Sequence, residues 1–425
     1  MRPELGGLWR HRDFMKLWSA QATSVFGSQL ASLAYPLTAI LVLQATTFQM
    51  GMLQAAGGAA AVIVGLFAGV IVDRVRRKPL LIATDLGRAA LALFITIAAF
   101  SGFLTIHQLY VVYFLSGALS IIADVSGMAF LPSLLGKEEL VEGNSKFGTT
   151  ESAALIAGPS LSGALLQILT APFAILIDAL SFLVSAVFVS QIRVTESHIN
   201  GYPPDSTGDS DKKQSIWSQI GEGLRFVYGH PLLRPLAESI ALYFLFRQIV
   251  LALFALYAIR VLNLEPFWLG VIFSALGFGF LFGALSVRRI TNRFGVGRTM
   301  IGANLINIFA IALVPAAGGS TVFVITLLVI SHFLHAFGVQ INGINLVSLR
   351  QKITPNHLQG RMTASFRFVN VGMMMFGSLI AGALGEWIGL RETLVAGAIG
   401  MLLPFLRLLF SPLRNFKEDL IENNR

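Results

Sequence analysis

The sequence predicts an all-α integral membrane protein: twelve transmembrane helices in two pseudo-symmetric six-helix bundles. Three observations carry this. The 425 residues are 55% hydrophobic and only 12% charged, about half the charge of a soluble domain, which leaves too little polar surface to face water. Twelve apolar runs each reach the roughly 20 residues that cross a bilayer core. The second half of the chain also repeats short pieces of the first at equivalent places.

The runs lie at about 17–43, 49–72, 79–101, 108–131, 146–168, 172–192, 236–258, 268–287, 298–317, 321–346, 362–386 and 392–411. The fifth and eleventh carry more polar residues than the rest. Short connections join most of them, as in a helical bundle. The exception is 193–235, where Asn200 to Gln214 is rich in Ser, Asp, Pro and Gly and reads as a linker. After it, Ile216, Trp217, Ile220, Leu224 and Val227 share one helical face and predict a short amphipathic helix on the membrane surface. The expected organisation is a bundle over 1–192, a cytoplasmic linker with that surface helix over 193–235, and a second bundle over 236–425.

Charge placement sets orientation. If the N-terminus and every second loop are cytoplasmic, the basic clusters Arg74 to Lys78, Arg288 to Arg293 and Arg350 to Arg361 fall on that side. Arg260 and Arg391 fall on the other, and Arg88, Arg247, Arg367 and Arg407 lie inside spans. Lys and Arg accumulate on the cytoplasmic face, so both termini are expected in the cytoplasm and the protein in the cytoplasmic membrane. The net charge of +9 is thereby explained by topology, and nucleic acid is not an expected partner. The chain lacks cysteine and its seven histidines are scattered. No metal site and no cofactor are expected. No Gly-x-x-x-x-Gly-Lys-Ser/Thr loop for nucleotide phosphates is present. Neither an ATP-driven pump nor an enzyme is expected.

A shift of 219 residues lays Ile71-Val72-Asp73-Arg74 on Ile290-Thr291-Asn292-Arg293, and Asp85-Leu86 on Asn304-Leu305. A shift of 215 lays Ser133-Leu134 on Ser348-Leu349. Internal repeats of this kind place a substrate site near the bilayer midplane.

Between spans two and three the chain reads Gly69-Val-Ile-Val-Asp73-Arg74-Val-Arg76-Arg77-Lys78. This resembles the Gly-x-x-x-Asp-Arg-x-Gly-Arg-Arg/Lys loop of the major facilitator superfamily, with Arg76 in place of the second glycine. Asp73, at a helix end, is positioned to accept bonds from the start of the next span. Asp85-Leu-Gly-Arg88, Asp178-Ala-Leu-Ser181-Phe182, Gly221-Glu-Gly-Leu-Arg225-Phe226, Gly360-Arg361-Met and Gly377-Ser-Leu-Ile-Ala-Gly382 are similar to stretches of its macrolide-efflux and enterobactin-exporter branch. Ala157-Gly158-Pro159-Ser-Leu-Ser162-Gly163 resembles the Gly-Pro-x-x-Gly-Gly element of superfamily antiporters, with Ser162 for one glycine. Proline kinks a helix, and glycines such as Gly158 and Gly163 permit close helix approach.

The resemblance implies that spans one, four, seven and ten line a central cavity. Polar and aromatic residues recur there every three or four positions: Gln21, Ser24, Ser28, Ser32 and Tyr35; Tyr113, Ser116, Ser120 and Asp124; Tyr243, Arg247, Val250, Phe254 and Tyr257; Ser331, His335, Gly338, Asn342 and Asn345. Each set is one face of a helix. Polar groups facing lipid cost free energy, so these faces point either to a pathway or to packed neighbours. A charge at the bilayer centre costs about 2.5–3.5 kcal/mol on insertion scales. Mid-span ionisable residues are therefore candidates: Asp124, Glu151 and His335 for proton coupling, and Arg247 for an anionic substrate group or as a counter-charge to Asp124. Asp85 and Arg88, three apart, suit a helical-face ion pair that braces the Asp73 loop.

The expected function is secondary active export of a bulky, amphipathic, drug- or antibiotic-like small molecule, by proton antiport with alternating access, in a monomer embedded in the lipid bilayer. A siderophore exporter of the same fold, or an importer, is the alternative.

Overall fold

The computed structural model describes residues 7–193, 216–355 and 358–415. The linker stretch Asn200 to Gln214 lies outside them. Fourteen α-helices run through the described residues, with no strand among them. They are α1 Arg12–Leu37, α2 Thr47–Arg74, α3 Arg77–Phe100, α4 Ile106–Leu134, α5 Leu140–Ile168, α6 Ala171–Ser190, α7 Ile216–Gly229, α8 Leu233–Arg260, α9 Pro266–Phe294, α10 Val296–Ala316, α11 Thr321–Ile353, α12 Gln359–Trp387, α13 Leu390–Gly400 and α14 Leu402–Leu409.

Helix ends follow local chemistry. Thr105 and Gln108 form a reciprocal capping box at the start of α4, and Ser320 caps α11. Pro36 removes a backbone donor near the end of α1, and the helix widens there into a π turn over Thr38–Val42. The last span is two helices in line, α13 and α14, divided at Met401.

Eleven spans are long and apolar enough to cross a membrane among the described residues. The twelfth long helix, α5, has 29 residues but carries Glu142, Asn144, Lys146 and Glu151 in its first half, so its composition is too polar to qualify alone. It is held by α1. Trp18 donates from Nε1 to Thr150 Oγ1 at 3.0 Å, and Ser162 donates to the Leu30 carbonyl at 2.6 Å. Gly158 is pressed against Gln29 so closely that a Cβ would collide with it.

The chain forms two compact units. The N-terminal unit contains residues up to Ala45 and, from Ala59, the rest of α2 together with α3 to α6. Its core gathers Phe14, Leu17, Leu81, Phe130, Leu131 and Val189. The C-terminal unit contains α7 to α14 together with Thr46–Gly58, the first turns of α2. There Gly51 meets the backbone of Ser378 and Gly382 in α12, and the Phe48 amide donates to Glu386 Oε2 at 3.3 Å. The core of this unit gathers Val227, Leu236, Met300, Leu349, Met362 and Phe366.

The C-terminal half of the short helix α7 packs within the C-terminal unit. Val227 is 1% exposed, Gly223 lies against the Arg361 backbone and Ser365 of α12, and Glu222 pairs with Arg361 at 2.5 Å.

Candidate functional site

The α2–α3 loop is short because α3 begins at Arg77, three residues after α2 ends. Asp73 is exposed, and its carboxylate has no hydrogen-bond or ion-pair partner among the described residues. It does not cap α3, whose N-cap position is occupied by Arg76 without a side-chain bond. The basic members of the loop anchor it instead. Lys78 donates to the carbonyls of Ser190 and Ile192 at 2.9 and 2.6 Å, satisfying the C-terminus of α6. Arg77 reaches Ser133 of α4 at 3.4 Å. Gly69 and Arg74 are exposed at the end of α2.

Asp85 and Arg88 do pair, at 2.5 Å, on one face of α3. That face is turned into the bundle. Asp85 is 4% and Arg88 7% exposed. Ser185 of α6 donates to the second Asp85 oxygen at 2.6 Å. Arg88 donates to Ser120 of α4 at 3.3 Å and lies 4.2 Å over the Phe182 ring. One turn away on α6, Asp178 is 3% exposed and accepts a long bond of 3.4 Å from Ser28 of α1. The approach of α1 to α6 depends on Gly27, where any Cβ would run into Ser181. Tyr35 and Tyr113 meet with ring centroids 5.7 Å apart. The N-terminal unit therefore gathers the predicted cavity residues Ser28, Tyr35, Tyr113 and Ser120 around Asp85, Arg88 and Asp178. Gln21, Asp124 and Glu151 are exposed on α1, α4 and α5.

In the sequence Asp178 stands within a stretch similar to the exporter branch, with no role of its own assigned by that likeness. A stronger signal was present: Asp178, Ser181 and Ser185 fall at i, i+3 and i+7 on one face of an otherwise apolar span.

In the C-terminal unit Arg247 of α8 donates from Nε to His335 Nε2 of α11 at 3.0 Å. An accepting Nε2 places the ring proton on Nδ1, so His335 is neutral here. That buried Nδ1 has no partner among the described residues. Tyr243 stacks over the His335 ring at 6.4 Å and 14°, and its buried hydroxyl is also unpartnered. No carboxylate pairs with Arg247 among the described residues. His332 hydrogen-bonds the Leu328 carbonyl at 2.9 Å and is enclosed by Phe254 and Phe273, at 4.6 and 5.4 Å. Phe254 and Tyr257 are fully buried within the unit. Asn342 lies 3.5 Å from Asn304 of α10. Glu238 is taken up by Arg234 and Arg407.

Comparison with known proteins bears on what such a bundle is. A family model described as a transmembrane secretion effector matches residues 7–425. The chain is 25% identical over 408 residues to the multidrug efflux pump Tap of Mycolicibacterium fortuitum, covering 92% of this chain and 94% of that protein. It is 22% identical over 395 residues to macrolide efflux protein A of Streptococcus pyogenes, covering 90% and 93%. The solved nucleoside transporter NupG superposes with a TM-score of 0.73 at 14% identity, over 96% of this chain and 100% of that one. A bacterial homologue of the iron transporter ferroportin, in its inward-facing state, gives 0.69 at 16% identity, over 94% and 98%. These two structures share the fold. With eleven apolar spans among the described residues and a match to the family model from Gly7 onward, the chain belongs to the transmembrane secretion effectors of the major facilitator superfamily and is a multi-pass membrane transporter, not an enzyme.

Proposed function

We propose that this transporter exports a bulky, amphipathic, drug- or antibiotic-like molecule bearing an acidic or strongly electron-rich group, across the cytoplasmic membrane, by proton antiport with alternating access. It acts as a monomer with both termini in the cytoplasm. The observation that carries the substrate class is Arg247. This mid-span guanidinium is fixed by a neutral histidine and left without a carboxylate among the described residues. A charge so placed is expensive unless it serves a partner, and it would repel a cationic ligand. Beside it, the Tyr243 face offers apolar area, and the Tyr243 hydroxyl and His335 Nδ1 offer unused polar atoms. The efflux relatives support the outward direction.

The decisive experiment is transport by the purified protein in liposomes under an imposed pH gradient, with acidic, neutral and cationic amphipathic substrates compared. Preferential, proton-driven accumulation of acidic substrates is expected. Preference for cations would remove the Arg247 reading, and net uptake in the opposite sense would remove export. Arg247 also favours a second substrate class, an acidic iron chelator of the siderophore type, which the same assay separates.

A further inference from the structure

The interface of α3 and α6 in the N-terminal unit holds two carboxylates and one guanidinium away from solvent. Arg88 is committed there. One amino group pairs with Asp85, the other donates to Ser120, and Phe182 covers its plane. Asp85 has its second oxygen taken by Ser185. These contacts close a neutral pair and leave Asp178 beside it, with no ion pair of its own among the described residues and only serine hydroxyls, Ser28 at 3.4 Å and Ser181, as hydrogen-bond partners. If both carboxylates were ionised, one negative charge would stand uncompensated in mid-span. Like charges that share one cation are relieved when one of them takes a proton.

The duplication shows that helix packing here does not require these charges. The shift that lays Asp85 on Asn304 lays Arg88 on Asn307. Both asparagines are buried in α10, and Asn304 is satisfied by the Met300 carbonyl at 3.0 Å. The second bundle builds the same position from neutral amides, whereas the first carries ions there.

Several described residues surround Asp178. Ser28 and Tyr35 come from α1, Asp85 and Arg88 from α3, and Ser181 and Phe182 from α6 itself; Tyr113 of α4 backs Tyr35. The charged or titratable groups acting on it are Arg88 and Tyr35, and Arg88 is the cation that Asp85 also engages. Arg88 Nε has no hydrogen-bond partner among the described residues, and its charge acts on Asp178 as well as on Asp85.

We propose that Asp178 is the proton-carrying side chain of this transporter. Protonated, it leaves Arg88 on Asp85 and Ser120. On losing its proton to one side of the membrane, its carboxylate draws Arg88 across, which frees Ser120 on α4. Taking up a proton from the other side reverses the exchange. One O–H bond breaks or forms and no other group is consumed. The role in transport rests on the antiport reading above, but the presence of a proton on Asp178 does not.

Infrared difference spectroscopy of the full chain in nanodiscs tests the proton directly. A protonated-carboxyl carbonyl band is expected at neutral pH, lost in Asp178→Asn and retained in Asp124→Asn and Glu151→Gln. In liposomes, Asp178→Asn is expected to catalyse substrate counterflow, while proton-driven accumulation falls from about 40-fold, the ratio one proton supports at 100 mV, to unity. A band unchanged in Asp178→Asn, or undiminished proton-driven accumulation by that variant, would overturn the proposal. If Asp178→Asn does not fold, Asp178→Glu replaces it: a shifted band with coupling retained supports the site, and an unshifted band overturns it. Failure of the wild type to couple to protons, with the Asp178 band present, would remove the antiport reading and leave the protonated site standing. Sodium-driven transport with no such band would remove both.

Discussion

Arg247 and His335 meet on different helices through a bond in which the guanidinium is donor and the imidazole acceptor. The direction matters, because it makes the histidine a neutral support that orients the cation without cancelling it. Replacing Arg247 by Gln should weaken binding of an acidic substrate by roughly 10–100-fold, the size of a lost hydrogen bond to a charged group. Neutral amphipathic ligands should be less affected. His335→Gln retains an acceptor for Arg247 and should keep most affinity, whereas His335→Leu should not. Equilibrium binding with acidic and neutral probes reads the difference, and equal losses for both probes would argue against a charge-based site.

Much of the architecture was legible because its physics is local. Apolar runs of span length need no knowledge of tertiary contacts. What depends on distant partners was not legible. Periodicity gave α7 an apolar face but could not say that Gly223 would let α12 approach the helix closely. Asp73 ends α2 as expected, yet Arg76 takes the N-cap position of α3, so the carboxylate stays free of α3. The i, i+3 spacing of Asp85 and Arg88 foretold their pairing. Its burial against Ser185, and the isolation of Asp178 beside it, follow from the packing of α3 on α6. Grouping of Thr46–Gly58 with the C-terminal unit has no sequence signal, because the apolar pattern of α2 is unbroken there.

Asp73 separates stability from turnover. Its side chain is exposed and touches no partner among the described residues, so Asp73→Asn should change stability by no more than about 0.5 kcal/mol. If the carboxylate acts in only one access state, as a loop latch would, transport should still fall by roughly tenfold, the effect of shifting that equilibrium by about 1.4 kcal/mol. Membrane yield and thermal unfolding in detergent, measured beside liposome transport, provide the comparison. Normal transport by Asp73→Asn would end the latch reading.

The docking of α7 allows packing and charge to be ranked. Glu222 and Arg361 are both partly solvated, at 43% and 30% exposure, so solvent screening leaves such a pair about 0–1 kcal/mol. Gly223 sits where any Cβ would enter the Arg361 backbone and Ser365, and overpacking typically costs about 1–3 kcal/mol. Gly223→Val should therefore lower the unfolding temperature more than Glu222→Ala. The reverse order would mean that the ion pair, and not the close approach, fastens α7.

Gly27 is the corresponding point beside Asp178. A Cβ there would overlap Ser181 Oγ and Cβ and come within 3.1 Å of Asp178 Oδ1. Neither obstacle is a flexible chain end: Ser181 is tied to the Asp178 carbonyl at 2.7 Å, and Asp178 is enclosed. Relief must come from α1 moving away from α6, so Gly27→Ala should destabilise the protein by about 1–3 kcal/mol, even though alanine is the better helix former by about 1 kcal/mol. Removing the nearest obstacle gives a second reading of the same contact. Ser181→Ala in the Gly27→Ala background should recover part of the loss, because Oγ is gone while the serine Cβ position stays occupied. A coupling of about 0.5–3 kcal/mol between the two substitutions is expected, measured by thermal or denaturant unfolding of all four proteins in one detergent. Additive effects would mean that α1 and α6 are not in contact at Gly27, and the bond from Ser28 to Asp178 would lose its structural basis.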